Sequence, residues 1–250
     1  MDIREFFKLN GNAAVALSGG VDSAVLLYFA KQYADRVKAY YVDSAFTPRF
    51  EYEDALKIAE TLGAEIEVLS ADVLSDSEVT ANTAQRCYYC KKRIFKIICD
   101  AAGKDGFDCV LDGTNASDDT SDRPGVRALA EFGVRSPLRE CAYKKRDIRE
   151  IARKIGLHVS DKPSYACLAT RIPTGTRITA ELLSKTEAAE NGLREMGFEN
   201  FRVRYLSGSA KLEFGKKEFD LFSQNRNKII TLLSPYYDNV YLDLRERNDE

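Results

Sequence analysis

Apolar residues dominate short strand-like runs at 13–17, 37–42, 66–69 and 109–111, interrupted only by Lys38 and Glu67, and between these runs they recur every three to four positions, at 24–32, 52–62 and 91–102. The runs predict buried strands and the intervening periods predict amphipathic helices. Such an alternation gives an α/β domain, a parallel sheet with helices on both faces, because parallel strands need crossover connections and continuous apolar runs need cover on both sides. In sheets of this kind ligands sit beyond the carboxyl ends of the strands. Ser18, Asp43 and residues 112–115 each follow a predicted strand end, so they are expected to converge on one pocket. A further helix is predicted over 143–155, followed by a stretch at 160–176 whose Pro, Ser, Thr and Gly content reads as a loop. Beyond it come a charged helix at 180–196, alternating strands at 201–205 and 211–214, a helix at 218–233 and a strand at 239–244. The expected organisation is a first domain over 1–160, a linker over 161–176 that carries Cys167, and a small αββαβ (α+β) domain over 177–250.

Between the first strand and first helix the chain reads Ser18-Gly19-Gly20-Val21-Asp22-Ser23. Two glycines let the backbone turn tightly and approach an anion, the serines offer hydroxyls, and the helix N-terminus supplies unpaired N–H donors and a positive dipole end. A pyrophosphate fits that description. Asp22 has a second reading as a helix cap. The Gly-Lys-Ser/Thr ending of a Walker loop is absent. The motif resembles the PP-loop of the ATP pyrophosphatases, which split ATP between its α and β phosphates to adenylate a substrate. That group includes GMP and NAD synthetases, argininosuccinate synthetase and several thiolation enzymes, and the loop alone does not choose among them.

At 250 residues and 44% hydrophobic the chain can bury a substantial core. No apolar run approaches the length of a membrane span, and residues 1–10 are charged rather than signal-like, so a cytoplasmic protein without a membrane partner is expected. With 37 basic against 39 acidic residues, no excess positive field draws in nucleic acid, and a small anionic substrate is the easier fit.

The six cysteines include one Cys-x-x-Cys, within Arg86-Cys87-Tyr88-Tyr89-Cys90-Lys91-Lys92, at the opening of the helix that runs to Ala102. Thiolates there are favoured by a helix N-terminus and neighbouring cations. The pair reads as half a zinc site, a dithiol, or two ligands of an iron–sulfur cluster. Zinc would want further Cys or His ligands, yet the only histidine is His158 and no second Cys-x-x-Cys follows. Cys99 and Cys109 lie on apolar elements and read as small buried hydrophobes, and Cys141 is also assigned a structural part. Cys167 differs, standing in the turn-rich 163–176 loop with Arg171 four residues on, a setting suited to a reactive or metal-binding thiol.

Taken together, the PP-loop, Arg86-Cys-Tyr-Tyr-Cys-Lys91, the run Asp112-Gly-Thr-Asn-Ala-Ser-Asp-Asp119 with Asp122-Arg-Pro-Gly125, and Ala166-Cys-Leu-Ala-Thr-Arg-Ile-Pro173 resemble the LarE family along essentially the whole chain. The resemblance implies an ATP-dependent sulfur transferase of nickel-pincer nucleotide cofactor synthesis. Such an enzyme adenylates a carboxylate of pyridinium-3,5-biscarboxylic acid mononucleotide and replaces AMP with sulfur to give a thiocarboxylate. It also implies a homo-oligomer, a hexamer. Two sulfur strategies occur in the family: sacrifice of a single cysteine, at the place of Cys167, or a four-iron four-sulfur cluster on three cysteines, the pattern of Cys87, Cys90 and Cys167. The second is the favoured reading here.

Roles follow by chemistry and resemblance. Ser18, Gly19, Gly20, Asp22 and Ser23 are expected to hold the pyrophosphate with Mg2+, Gly113 and Thr114 to approach the nucleotide, and Asp118 or Asp119 to bind Mg2+ or order the loop. Arg171 is expected to bind a substrate phosphate or carboxylate, against the alternative of a surface salt bridge. By resemblance Arg202 and Arg204 contact anion, and Glu190 and Glu213 metal, whereas the sequence alone reads a solvated strand face. Tyr88 and Tyr89 are read as packing residues. The rivals are a tRNA 2-thiolation enzyme, which the charge balance disfavours, a non-enzymatic nucleotide- or metal-carrying partner, and an ammonia-using synthetase, which leaves three cysteines unexplained. The sulfide source is not specified by any of these motifs.

Overall fold

The computed structural model describes residues 1–118 and 124–247. Asp119, Asp122 and Arg123 lie outside the described residues, so the expected part of Asp119 in binding ATP or Mg2+ has no structural account. The chain divides into two compact units, Met1–Val73 with Gln85–Lys162, and Leu74–Ala84 with Pro163–Glu250. This partition differs from the expected one in two places. Residues 74–84 leave the first unit and pack with the second, and residues 163–176 belong inside the second unit rather than forming a linker. Leu168, Ala169, Arg171 and Ile172 are buried. A composition rich in Pro, Ser and Gly signals a lack of periodic structure, and carries no information about whether the segment is packed.

In chain order the elements of the first unit begin with α1 (Ile3–Leu9), β1 (Asn12–Ala16), α2 (Val21–Tyr33), β2 (Arg36–Ser44), α3 (Arg49–Thr61) and β3 (Ile66–Ala71). After α4 (Ser77–Thr80), which is part of the second unit, it resumes with α5 (Arg86–Lys104), β4 (Cys109–Leu111), α6 (Pro124–Glu131), α7 (Pro137–Glu140) and α8 (Lys145–Lys154). The four strands form one parallel sheet in the order β3-β2-β1-β4. Alternate residues face opposite ways: Ala13, Val15, Ala39 and Tyr41 join one core with Phe6, Leu26, Ile58 and Ile148, while Ala14 and Tyr40 join another with Phe95, Ile98 and Leu129. Cover on both faces is why these strands read as largely apolar runs. The chain winds outward from β1 through β2 to β3 and then returns to the other side of β1 as β4. The winding therefore reverses between β1 and β4, and the crevice at their carboxyl ends is a topological switch point.

The second unit carries α9 (Ala180–Glu195), β5 (Phe201–Leu206), β6 (Ser209–Phe214), α10 (Glu218–Leu233) and β7 (Val240–Leu242), the expected αββαβ order. β5 and β6 pair antiparallel and β7 adds parallel to β6. Ser207 and Gly208, both at positive φ (45° and 88°), make the two-residue hairpin whose twist matches the strands. The core is aromatic, with Phe198 stacked on Phe214 at 5.0 Å between ring centroids and Phe201 beside them. No helix among the described residues is long and apolar enough to cross a membrane.

Candidate active site

The loop between β1 and α2 is shaped by its own side chains. Gly19 has φ +78°, and a Cβ there would lie 2.4 Å from the Glu51 carbonyl oxygen, so only glycine fits. The Ser18 N–H donates to Ser23 Oγ (3.1 Å), and Ser23 Oγ donates to the Gly20 carbonyl (3.0 Å). Ser23 is buried and serves the shape of the turn, while Ser18 is exposed. Gly20 is the N-cap of α2 and brings no side-chain hydrogen bond to its first turn. That leaves the terminal N–H groups and the positive dipole end for an anion.

The facing wall comes from the loop after β4. A Cβ on Gly113 would stand 2.8 Å from the Ser23 nitrogen, so the glycine lets this loop lie against the start of α2. Thr114 Oγ1 and Ser136 Oγ both donate to the Asp112 carboxylate at 2.5 Å. Asn115, buried, donates from Nδ2 to Asp22 Oδ1 (3.3 Å), and its backbone N–H is held by Asp118 Oδ2 (2.9 Å). Asp118 therefore orders the loop, one of the two parts expected of it. Asp22 is not the cap of α2: its carboxylate is shared between Asn115 and the Lys145 ammonium, 2.5 Å from Oδ2. Lys145 escapes the sequence reading, although the run Lys144-Lys145-Arg146 at the head of a helix is a visible signal. If the loop holds nucleotide phosphates as the sequence predicts, loss of this charge would leave the Asp22 carboxylate unneutralised beside them. Lys145→Met is expected to raise KM for ATP about 10- to 100-fold, the worth of a hydrogen bond to a charged group, in steady-state assays of ATP turnover.

Helix α5 starts at Arg86, ahead of its apolar period, so Cys87 lies in its first turn and Cys90 just beyond it, three positions apart on one face. Gln85 is the N-cap without a side-chain bond to the helix, and Arg86 Nη2 lies 3.3 Å from Cys87 Sγ. Arg127 of α6 stacks over the Tyr88 ring at 4.1 Å and donates to Gln85 Oε1 (3.2 Å), which makes Tyr88 part of the α5–α6 packing. All six cysteines are thiols. Burial pushes the thiols of Cys99, Cys109 and Cys141 above the usual range, as suits core residues. Cys167, half-buried, caps the short turn Leu168–Arg171, and its carbonyl accepts from Thr170 Oγ1 (2.8 Å). Cys87 and Cys90 belong to the first unit and Cys167 to the second.

The arginines and glutamates of the second unit are largely committed to one another. Arg171 is 1% exposed and binds Glu190 through Nε–Oε1 (2.7 Å) and Nη2–Oε2 (3.1 Å), with Nη1 on the Ala166 carbonyl (2.9 Å) and Thr170 Oγ1 (2.8 Å). Burial works against its charge, and Glu190 outweighs it, holding the guanidinium above its ordinary pKa. The expected binding of substrate by Arg171 gives way to a buried ion pair. Glu190 takes Tyr165 OH and the Val203 N–H as well, so the expected metal ligand is filled by protein donors. Arg202, also buried, donates to the Phe201 and Ser164 carbonyls at 2.6 Å each, and burial, then the neighbouring Arg171 and Arg247, push it down to about 10. Arg204 pairs with Glu213 (2.6 Å) and donates to the Thr170 carbonyl (2.8 Å); Glu213 also binds Lys211 (2.7 Å). Among the described residues no three His, Cys, Asp or Glu side chains are gathered to hold a metal ion.

A family model described as queuosine biosynthesis protein QueC matches residues 12–97, which span the PP-loop and the Cys-x-x-Cys. The chain is 34% identical over 235 residues to pyridinium-3,5-bisthiocarboxylic acid mononucleotide synthase of Lactiplantibacillus plantarum, covering 92% of this chain and 84% of that protein. The chain belongs to the LarE family. As a member of the LarE family it is an ATP-dependent sulfurtransferase. An uncharacterized protein of Synechocystis sp. is 35% identical over 228 residues, covering 90% of this chain and 84% of its own. A tRNA-specific 2-thiouridylase of Clostridium botulinum is 32% identical over 184 residues, but these cover 61% of this chain and 52% of that enzyme. With 92% of the chain covered, the LarE likeness takes in most of the second unit as well as the first.

Proposed function

We propose that this chain adenylates a carboxylate of pyridinium-3,5-biscarboxylic acid mononucleotide and replaces AMP with sulfur to form a thiocarboxylate. The observation that carries the reading is the likeness to the Lactiplantibacillus synthase over 92% of the chain, joined to an intact phosphate loop. In the first half-reaction a carboxylate oxygen bonds to the α-phosphorus of ATP, the bond to the β-phosphate oxygen breaks, and pyrophosphate leaves. The first turn of α2 and the Lys145 ammonium receive the charge that develops on the leaving group. Asp22, half-buried beside that turn, is the carboxylate suited to Mg2+, which neutralises phosphate charge when bound. In the second half-reaction sulfur bonds to the acyl carbon and AMP departs with the electron pair of the broken C–O bond.

Cys87, Cys90 and Cys167 would hold the four-iron four-sulfur cluster. The donor set fits in kind: three thiols, two of them on one helix turn, and thiolates are the ligands such clusters take. When bound, the cluster supplies a sulfide carrier that survives turnover. The alternative makes Cys167 itself the donor: its Sγ passes to the substrate, the Cβ–Sγ bond breaks, the α proton is lost, and dehydroalanine remains. A small nucleotide acceptor is favoured over tRNA because the 2-thiouridylase likeness stops at 61% of the chain and the formal charge is −2.

The test is iron and acid-labile sulfide on protein purified without oxygen, with its visible spectrum. About four of each per chain is expected of the cluster. Absence of iron, together with a loss of about 34 Da, the mass of one hydrogen sulfide, after ATP and substrate, would assign the sulfur to Cys167 instead.

A further inference from the structure

Asn82 is a closely constrained polar residue outside the site described above. It is 2% exposed and adopts φ +51°, a left-handed conformation that residues other than glycine seldom take. Its Nδ2 lies 3.2 Å from the Ile172 carbonyl oxygen, 2.9 Å from that of Pro173 and 3.1 Å from that of Thr176. Its own carbonyl accepts the Gly175 N–H (2.9 Å), and two residues earlier the Thr80 carbonyl accepts the Ile178 N–H (2.8 Å). Residues 172–178 form no helix or strand, so these bonds satisfy backbone groups that regular structure would otherwise have paired.

The loop that Asn82 grips is the continuation of the turn capped by Cys167. That turn is held on its other side by Arg171, bound to the Ala166 carbonyl, and by Arg204, bound to the Thr170 carbonyl. The peptide that bears Asn82 runs on through Ala84 and Gln85 into Arg86 and Cys87. One amide side chain therefore fastens the stretch of chain leading to the Cys-x-x-Cys onto the stretch leading away from Cys167. Nothing in the adenylation chemistry calls for this: the PP-loop, Asp112–Asp118 and Lys145 all belong to the first unit, while Asn82 and its partners belong to the second.

We infer that Asn82 is a positioning residue for sulfur delivery: it fixes the Cys167 loop, and it acts on the second half-reaction while leaving the first alone. The inference rests on the proposed part of Cys167 in that step.

The test compares two half-reactions in the full-length protein. Asn82→Asp keeps the shape and tolerates the left-handed backbone but replaces the donor with an acceptor facing three carbonyls. Asn82→Gly relaxes φ and keeps the backbone bond to Gly175 while losing the side chain, and it carries the same test should the aspartate variant fail to fold. Substrate-dependent exchange of labelled pyrophosphate into ATP is expected to keep its rate and its KM for ATP in both variants. The kcat for thiocarboxylate formation is expected to fall about 10- to 100-fold, the scale of an ångström-sized misplacement of a reacting group. Alkylation of Cys167 by iodoacetamide, read by peptide mass, is expected to change in rate. Unchanged thiocarboxylate formation, or a parallel fall in both half-reactions, would overturn the inference. Cys167→Ala is the control for the underlying reading: wild-type sulfur transfer in that variant would defeat the part of Cys167 itself, whatever Asn82 does.

Discussion

Cys167→Ser abolishes thiocarboxylate formation while leaving substrate-dependent pyrophosphate exchange within about twofold of wild type; this is the expected result of separating the two half-reactions by residue. Serine preserves the size of the side chain and the backbone of the Leu168–Arg171 turn, so the buried Arg171 and Leu168 beneath it keep their contacts. What changes is the atom. A hydroxyl is neither a soft ligand for iron nor a source of sulfur, so both versions of the sulfur step lose their donor. In the proposed reaction adenylation draws on α2, Asp22 and Lys145, all of them in the first unit, whereas that turn belongs to the second. Retained thiocarboxylate formation in Cys167→Ser would remove this residue from the reaction, and a matching loss of exchange would mean that the substitution damages more than sulfur delivery. Cys87→Ser separates the two sulfur strategies further, because it is expected to remove bound iron without touching a mechanism that consumes only Cys167.

The parallel sheet is legible because the middle of each of its strands is mainly apolar, Lys38 and Glu67 apart, and the phosphate loop is legible because Gly-Gly followed by an acid and a serine has few other uses between strand and helix. The order of the small C-terminal unit is likewise readable from the change of period at 201–214. Among the described residues four helices escape the sequence pattern, α1, α4, α6 and α7, and each shows eight residues or fewer, too few for a three-to-four-residue period to stand out. The site residues divide along the same line. Gly19 and Gly20 act through backbone geometry that the sequence encodes locally. Arg171, Arg202 and Glu190 depend on which side chains meet across long separations, and an arginine that binds a substrate looks in sequence like one that binds a glutamate. Lys145 is hidden for that reason too, since its partner Asp22 lies 123 positions away. The packing of residues 74–84 with the second unit has no composition shift to mark it.

The buried charges of the second unit yield the other large effect. Three guanidinium groups, those of Arg171, Arg194 and Arg202, lie 4.4, 5.8 and 4.9 Å from the Tyr165 ring centroid, and Glu190 is the carboxylate bound among them. Removing either member of the Arg171–Glu190 pair strands a charge without water, and such losses cost about 3–5 kcal/mol. The two members are not equivalent. Arg171→Met leaves Glu190 still receiving Tyr165 OH and the Val203 N–H, and relieves Arg202 of a neighbouring like charge. Glu190→Gln leaves Arg171 and Arg202 both buried with no opposing charge from this position. Glu190→Gln is therefore expected to be the more destabilising in denaturant-induced unfolding, and Arg171→Met/Glu190→Gln to cost less than the two single changes added together. Additive costs would show that the pair contributes through packing alone. Arg171→Met being the more damaging would show that its bonds to Ala166 and Thr170, rather than the charge of Glu190, hold the Cys167 turn in place.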